Sequence, residues 1–575
     1  MTDAIQQSNM ESEPDQGRRG SGAPMIALGI LLSRILGLVR EKVVAYFFGL
    51  GAHYDVFQLA MKGANLLNNL LGEGTLSASF IPIYSRMLEE GREREARRFA
   101  GAVLGLLLVT LAVVTAIGVL AAKYIVTLIA PGFLDDAALV ATGELPIDRF
   151  DLAVQAFRIT VPMAAFLALS AWALGVLNSH RRFFLPYFAP TLMNVAVIAV
   201  LVFAGTSLIA NPFSTGGLEV VPVAILNRLV IAAVLGALLG GILQFGIQLP
   251  LVLRLLRGFR LSVSRAVEGV TDAFRAFWPV VAGRGVAQLS SYVDVILAGL
   301  ATAGTIGALR PALVLYMLPI SLFGMSVAAS ELPELSRISS ERLITFTDRI
   351  NRSIRQMLYL VVPTAVGYVL FGFLIVSALF GGGAFEEVDA WLVYLILGGY
   401  TLGLGATAVS RLLQNSFYAL HDTKTPAKIA VLRVVISGIV GAGLMFWLDS
   451  FLVSDVIEFQ GDVHPLTLAA VGLAIGTSVG AWIELLALRM ALSRALEEFQ
   501  LPTRRVIQMG GLAVASALPA FGAMLVLRGL NLPVLVDATV VLALYGVLYL
   551  TLGHFLRFTE GDAWIQRLRR RGPEA

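Results

Sequence analysis

The chain contains no cysteine. That absence excludes disulfides, thiolate nucleophiles and cysteine-ligated metals. Histidine is nearly as scarce, with five residues standing apart and no HExxH-type pair. No Walker loop, catalytic triad or acidic metal cluster is visible, so the chain is not expected to be an enzyme. Charge is sparse as well: 14% of residues, against about 25% in a soluble domain. The remainder is apolar, 57% hydrophobic with a mean hydropathy of +0.80, which is more than a soluble core of 575 residues can hide. The net charge of +4 is mild, and nothing points to nucleic acid.

These properties imply an all-α integral membrane protein. A span needs about 20 mostly apolar residues. About fourteen segments qualify: 25–49, 55–84, 99–130, 152–178, 187–208, 222–253, 274–302, 308–333, 353–381, 389–417, 426–448, 465–494, 505–528 and 533–556. Basic residues mark cytoplasmic loops, and here they alternate. The second connection carries Arg86, Arg92, Arg94, Arg97 and Arg98, and the sixth carries Arg254, Arg257, Arg260, Arg265 and Arg275. The odd connections are acidic, as in "GGGAFEEVDAW" and "DSFLVSDVIEFQGDVHP". Both termini are therefore expected on the cytoplasmic side. Residues 1–23 read as a disordered polar tail and 557–575 as a basic one. The first apolar run is longer than a signal-peptide core and reads as a retained span.

"VLNSHRRFFLP" and "FYALHDTKTP" both place a histidine, His180 or His421, shortly before a proline, Pro186 or Pro426. The separation of about 240 residues corresponds to six spans. Two six-helix lobes of shared orientation around a central cavity follow, over 24–256 and 257–495. Two extra helices occupy 496–556.

Charges in a bilayer core are costly and face a watery interior or one another. The first span holds Arg34, Arg40, Glu41 and Lys42. Ideal helix geometry puts Arg34 and Glu41 on one face and Arg40 on another, with Lys42 able to snorkel outward. The second span presents Asp55, Lys62, Asn69, Glu73 and Ser77 as one polar stripe. The seventh adds Arg284 and Asp294. Glu484 is inside its span, with Arg489 as a partner. The bland alternative is interhelical ion pairing. The functional one is a cavity rich in cations, suited to phosphate or carboxylate.

"SRILGLVRE" followed by "YDVFQLAMKGANLLNNLLGEGTLSASFIPIYSR" resembles the start of the MurJ/MviN family of lipid II flippases, within the multidrug, oligosaccharidyl-lipid and polysaccharide exporter superfamily. "HDTKTPAKIAV" resembles that family's loop after the tenth span. The resemblance covers essentially the whole membrane portion. It implies a bacterial inner-membrane protein that moves an undecaprenyl-pyrophosphate-linked peptidoglycan precursor between leaflets by alternating access, acting as a monomer. Arg34, Arg40, Asp55 and Lys62 fall on positions that line the family's cavity, and Glu73 matches its "EG" acid; Asn69 and Arg284 complete the expected substrate set. The last two helices would form a groove for the lipid tail. No cofactor is implied; a sodium ion or the membrane potential would supply the driving force. There are departures. Asn68 and Asn69 stand where the family has basic residues. Apolar residues near Val314 stand where it has an eighth-span arginine. For the cation site, Asp294 fits the seventh-span acid and Asp449 one eleventh-span position, but Met445 is near where a partner asparagine is expected. The alternatives are an exporter of another lipid-linked oligosaccharide or amphiphile, and a non-transporting membrane scaffold.

Overall fold

A computed structural model describes residues 22–143, 145–214, 218, 221–324, 343–459, 464–496, 500–530 and 532–561. The expected polar tails, 1–23 and 557–575, and the end of the eighth segment, 325–333, fall almost wholly outside these residues. Among the described residues the secondary structure is helical, with two isolated bridges and no strands. A helix or broken helix covers the described part of each of the fourteen segments. Ten are long and apolar enough to cross a membrane, or up to twelve if each of two bent pairs is one span. Length and apolarity by themselves therefore account for ten to twelve spans among the described residues. The helices Gly22–Phe48, Ala52–Leu71 and Val270–Leu300, which carry the polar cargo, are not among them.

The second segment departs from the expected single helix. It breaks at Gly72, between Ala52–Leu71 and Glu73–Ser79. Gly72 donates to Asn68 O at 2.7 Å, so close that a Cβ there would lie 2.3 Å from that oxygen. Only glycine fits. Thr75 Oγ1 donates to Leu70 O at 2.7 Å and satisfies one carbonyl freed by the break. The polar stripe inferred for a continuous helix thus ends at Asn69.

The two histidine–proline stretches share a backbone feature. Helix Arg149–Ser179 ends with Arg181 at φ +56°, and helix Leu404–Ala419 ends with His421 at φ +60°. Each end closes with the same pair of bonds: Arg181 N to Asn178 O (2.9 Å) and Arg182 N to Leu177 O (2.8 Å), then His421 N to Tyr418 O (3.0 Å) and Asp422 N to Phe417 O (2.9 Å). This is a left-handed helix stop. Arg181 and His421 are 240 residues apart, as are Pro186 and Pro426. In this register His180 is one residue out of step with His421.

A helical hairpin follows each of these two stops. Pro190–Leu208 packs on Val223–Gly246, and Lys424–Leu448 packs on Ala469–Ala495. Small residues let the second pair approach: a Cβ on Gly476 would lie 2.4 Å from Gly441 Cα, and one on Gly472 2.5 Å from Met445 N. Gly476→Ala should force these backbones apart. It is expected to destabilise the fold by about 1–3 kcal/mol, read as a lowered thermal midpoint in detergent. An unchanged midpoint would show that the hairpin is looser than described.

The parts of the chain before and after residue 257, its two halves, meet through Ala52–Leu71 and Glu73–Ser79 on one side and Val270–Leu300 and Thr305–Pro319 on the other. The final pair, Thr503–Arg528 and Val534–Phe555, packs on Leu343–Phe380, where Tyr545 and Tyr549 donate to Pro363 O and Tyr359 O. Proline at 363 removes an N–H from its helix, and its own carbonyl is taken up by this neighbour.

Candidate functional site

A cavity of about 250 Å³ lies where the halves meet. Arg40, Gln58 and Lys62 line it from the first half, and Asp294, Arg310 and Tyr400 from the second. Asn65 and Asn69 complete the first-half wall. Its charged lining and the adjoining Glu41 amount to three cations and two carboxylates.

Glu41 organises this site. It is 1% exposed, and four side chains donate to it. Arg40 Nη2 lies 2.6 Å and Arg310 Nε 3.2 Å from Oε1; Gln58 Nε2 lies 3.0 Å and Tyr54 OH 3.3 Å from Oε2. A buried carboxylate needs this saturation, because an unpaired charge there would carry its whole desolvation penalty. Ideal geometry separated Arg40 from Glu41; in the structure the adjacent side chains converge instead. Arg40 Nη1 also donates to Asn194 Oδ1 at 3.0 Å, which fixes its guanidinium. Arg310 is different: it is nearly half exposed, and Glu41 takes only its Nε. Its outer fork is left to the cavity, and a planar fork of N–H donors suits a phosphate or carboxylate.

The eighth segment is apolar around Val314, as expected, but its helix also carries Arg310. It lies one turn before Val314, within "TIGALRPALVLYMLP". In the sequence it is a single arginine beside a proline at the start of an apolar run.

The other expected site residues divide. Lys62 lies in the cavity, its Nζ 5.7 Å from the Tyr292 ring centroid. Arg34 lies in a separate pocket of about 370 Å³ with Asn68, Tyr187 and Gln244, and donates to Ser321 Oγ at 2.5 Å. It is six residues, about 9 Å of helix, from Arg40 toward the end assigned as cytoplasmic. Glu73 and Arg284 sit in helices Glu73–Ser79 and Val270–Leu300, but their side chains are outside the described set.

Asp55 does not line the cavity. It is fully buried at the far end of its helix. Its carboxylate accepts from Gly304 N and Gly307 N, both at 2.6 Å, and from Arg149 Nη1 at 3.3 Å. Gly304 and Gly307 open helix Thr305–Pro319, so a first-half carboxylate caps a second-half helix. Arg149 is held in turn by Asp136, at 2.6 Å and 2.9 Å, and stacks on Phe133. Arg149 is the one basic residue between the third and fourth segments, and only its distant partners reveal this role.

The two cation candidates are not brought together. Asp294 faces the cavity. Asp449 ends helix Lys424–Leu448 and accepts from Thr302 N at 3.3 Å and Thr467 Oγ1 at 2.7 Å. Thr302 is about two turns beyond Asp294, roughly 10 Å along the chain. No group of three or more His, Cys, Asp or Glu among the described residues is arranged to hold a metal. Glu484 pairs with Arg433 (2.7 Å) and Gln414 (2.8 Å), from neighbouring helices, in place of the expected Arg489.

Comparison with known proteins gives a family and a fold. Residues 44–542 match the family model for lipid II flippase MurJ. A probable lipid II flippase MurJ of Rhizobium tropici is 31% identical over 468 residues, covering 80% of this chain and 78% of its own. Lipid II flippase MurJ of Burkholderia cenocepacia is 31% identical over 406 residues, covering 70% and 73%. The fold matches a lipid II flippase MurJ in an inward closed conformation, with a TM-score of 0.67 and 20% identity over 92% of this chain and 99% of that one. It also matches the inward-facing conformation of a multidrug resistance MATE family transporter of the MOP superfamily, with a TM-score of 0.55 and 14% identity over 82% and 100%. With most of its length matched by the family model and by relatives at this identity, the chain is a multi-pass bacterial membrane protein that belongs to the lipid II flippase MurJ family.

Proposed function

We propose that the chain flips lipid II, carrying its pyrophosphate head group from the inner to the outer leaflet of the bacterial inner membrane by alternating access. The observation that carries this reading is Glu41, held between Arg40 of one half and Arg310 of the other beside a cavity that also contains Lys62. Glu41 stands where an anionic head group would compete for the same donors. Exchanging one anion for another alters contacts to both halves at once, and a ligand shifts a conformational equilibrium only through such differential contacts. Arg34 meets the head group nearer the cytoplasmic entrance, and Asp55 with Arg149 keeps the other end shut. The lipid tail stays in the bilayer, guided by the last two helices.

The orientation follows the alternating basic loops, with both termini cytoplasmic. The ten apolar spans, the bent pair Glu387–Thr401 with Leu404–Ala419 and the three polar helices make fourteen. We take the membrane potential as the driving force, worth about 2.3 kcal/mol per charge per 100 mV, with Asp294 as the candidate for a coupling cation. The protein works as a monomer. Purified protein in vesicles should move fluorescent lipid II across the bilayer, faster with an imposed potential, and Arg34→Ala should remove that activity without preventing insertion. A variant with Arg34→Ala that flips lipid II at the normal rate would sink the assignment of Arg34. Transport of an unrelated lipid-linked glycan in place of lipid II would favour another exporter of the superfamily.

A further inference from the structure

At the face assigned as outer, a second contact joins the two parts of the chain at Asp389 and Leu50, with His464 beside it. Asp389 lies in the first turn of helix Glu387–Thr401 and is fully buried. Its carboxylate accepts from Glu386 N at 2.9 Å and from the N–H of Leu50, in the turn that ends the first helix. The same turn is gripped by its surroundings. Ala384 N donates to Tyr46 O at 2.8 Å. Gly49, at φ +55°, leaves no room for a Cβ against Ala384 O. Asp389 is therefore a bolt between the first half, at Leu50, and the second.

His464 sits over the bolt. Its Nε2 is 3.0 Å from Asp389 Oδ1 and its Nδ1 3.3 Å from Glu386 Oε2. A neutral imidazole has one N–H and can donate to only one of these carboxylates; donating to both requires the imidazolium. We propose that protonated His464, bonded to both Asp389 and Glu386, holds the Asp389 carboxylate against Leu50 N–H, so that this outer latch is tight while His464 is protonated and loosens when it is not, making His464 a positioning residue for the outward-opening step. The proposal rests on the alternating-access reading above.

The surroundings support this. Burial disfavours the charged ring, but the bond to Asp389 and the charges of Asp389 and Glu386 outweigh it, so protonation persists above the ordinary histidine range. The sign follows: the latch is complete below about pH 6.5 and is lost as pH rises through the elevated value. Other charged groups on the packed elements are engaged or turned away. Lys42 donates to Ala378 O, Asp449 binds Thr302 and Thr467, Asp455 accepts from Leu452 N, and Glu387 and Glu458 are exposed.

The absence of native cysteine makes a direct test available. A reporter thiol is introduced at the cavity wall by Leu309→Cys and, in a second protein, at the exposed outer position Ser454→Cys as the reference for thiol reactivity. Spheroplasts are labelled from outside with a membrane-impermeant maleimide at about pH 5.5 and about pH 8. The cavity-to-reference labelling ratio should rise roughly tenfold at the higher pH, the scale of losing a charged hydrogen bond. His464→Gln should give the high ratio at both pH values, and His464→Lys, with a permanent cation, the low ratio at both. A pH-independent ratio in the parent, or pH dependence surviving His464→Gln, would overturn the latch. Because labelling needs no substrate, a latch that passes beside a failed lipid II assay refutes only the substrate, and the reverse result refutes only the latch.

Discussion

Arg310→Ala is expected to lower lipid II flipping by about 10- to 100-fold, the scale of losing one or two charged hydrogen bonds to a phosphate, while the protein still inserts and folds. The asymmetry follows from the two arginines around Glu41. Arg40 lies 2.6 Å from it and is 8% exposed, so it can still neutralise the carboxylate when Arg310 is gone. Arg310 is the more exposed partner and holds Glu41 through Nε alone. Its removal takes cation and fork geometry from the cavity but leaves no buried charge unpaired. Arg310→Lys should recover part of the loss, because the ammonium restores charge without the planar donors. Glu41→Ala should behave differently. It leaves Arg40 and Gln58 facing a void and is expected to destabilise the protein by about 3–5 kcal/mol. Flipping measured in vesicles beside thermal midpoints in detergent separates the two effects. Wild-type transport by Arg310→Ala would remove Arg310 from the site.

Asp55→Ala should open the far end of the cavity. The carboxylate takes two backbone N–H bonds at 2.6 Å from the start of a second-half helix. Each bond to a charged group contributes about 1.5–3 kcal/mol, and deletion also strands two buried donors. Arg149 keeps Asp136 and stays neutralised. The loss therefore falls on the junction between halves. External labelling of a cavity thiol should become rapid, and the thermal midpoint should drop. Asp55→Asn should lie between, since its oxygen can accept one N–H while its NH₂ group confronts the other. If Asp55→Ala labels from outside no faster than the parent, the carboxylate is not an outer closure.

The two variants probe opposite sides of the same question. Arg310→Ala leaves closure intact and removes a head-group contact. Asp55→Ala leaves the head-group contacts intact and removes closure. A flippase needs both, since a cavity open at each end would leak and one without cations would not hold a pyrophosphate.

How much of this was visible beforehand differs by feature. The helical class, the apolar segments and the alternating basic loops follow from composition and spacing, because a bilayer imposes length and polarity on each segment separately. Arg34, Arg40, Lys62 and Asp294 were legible as costly charges in apolar runs, a rule that also acts residue by residue. The shared spacing of Pro186 and Pro426 was legible, although the feature the two stretches have in common is the left-handed backbone at Arg181 and His421. What each charge does was not legible. Asp55 and Lys62 share one helix seven residues apart, yet one bolts the halves and the other lines the cavity. Arg310, Arg149, His464 and Asp389 gain their meaning from partners far away in the chain. Helical periodicity predicts which residues share a face. Only the packing of one half against the other decides which carboxylate meets which guanidinium, because the strength of such a pair depends on a few ångströms of separation and on the water excluded around it.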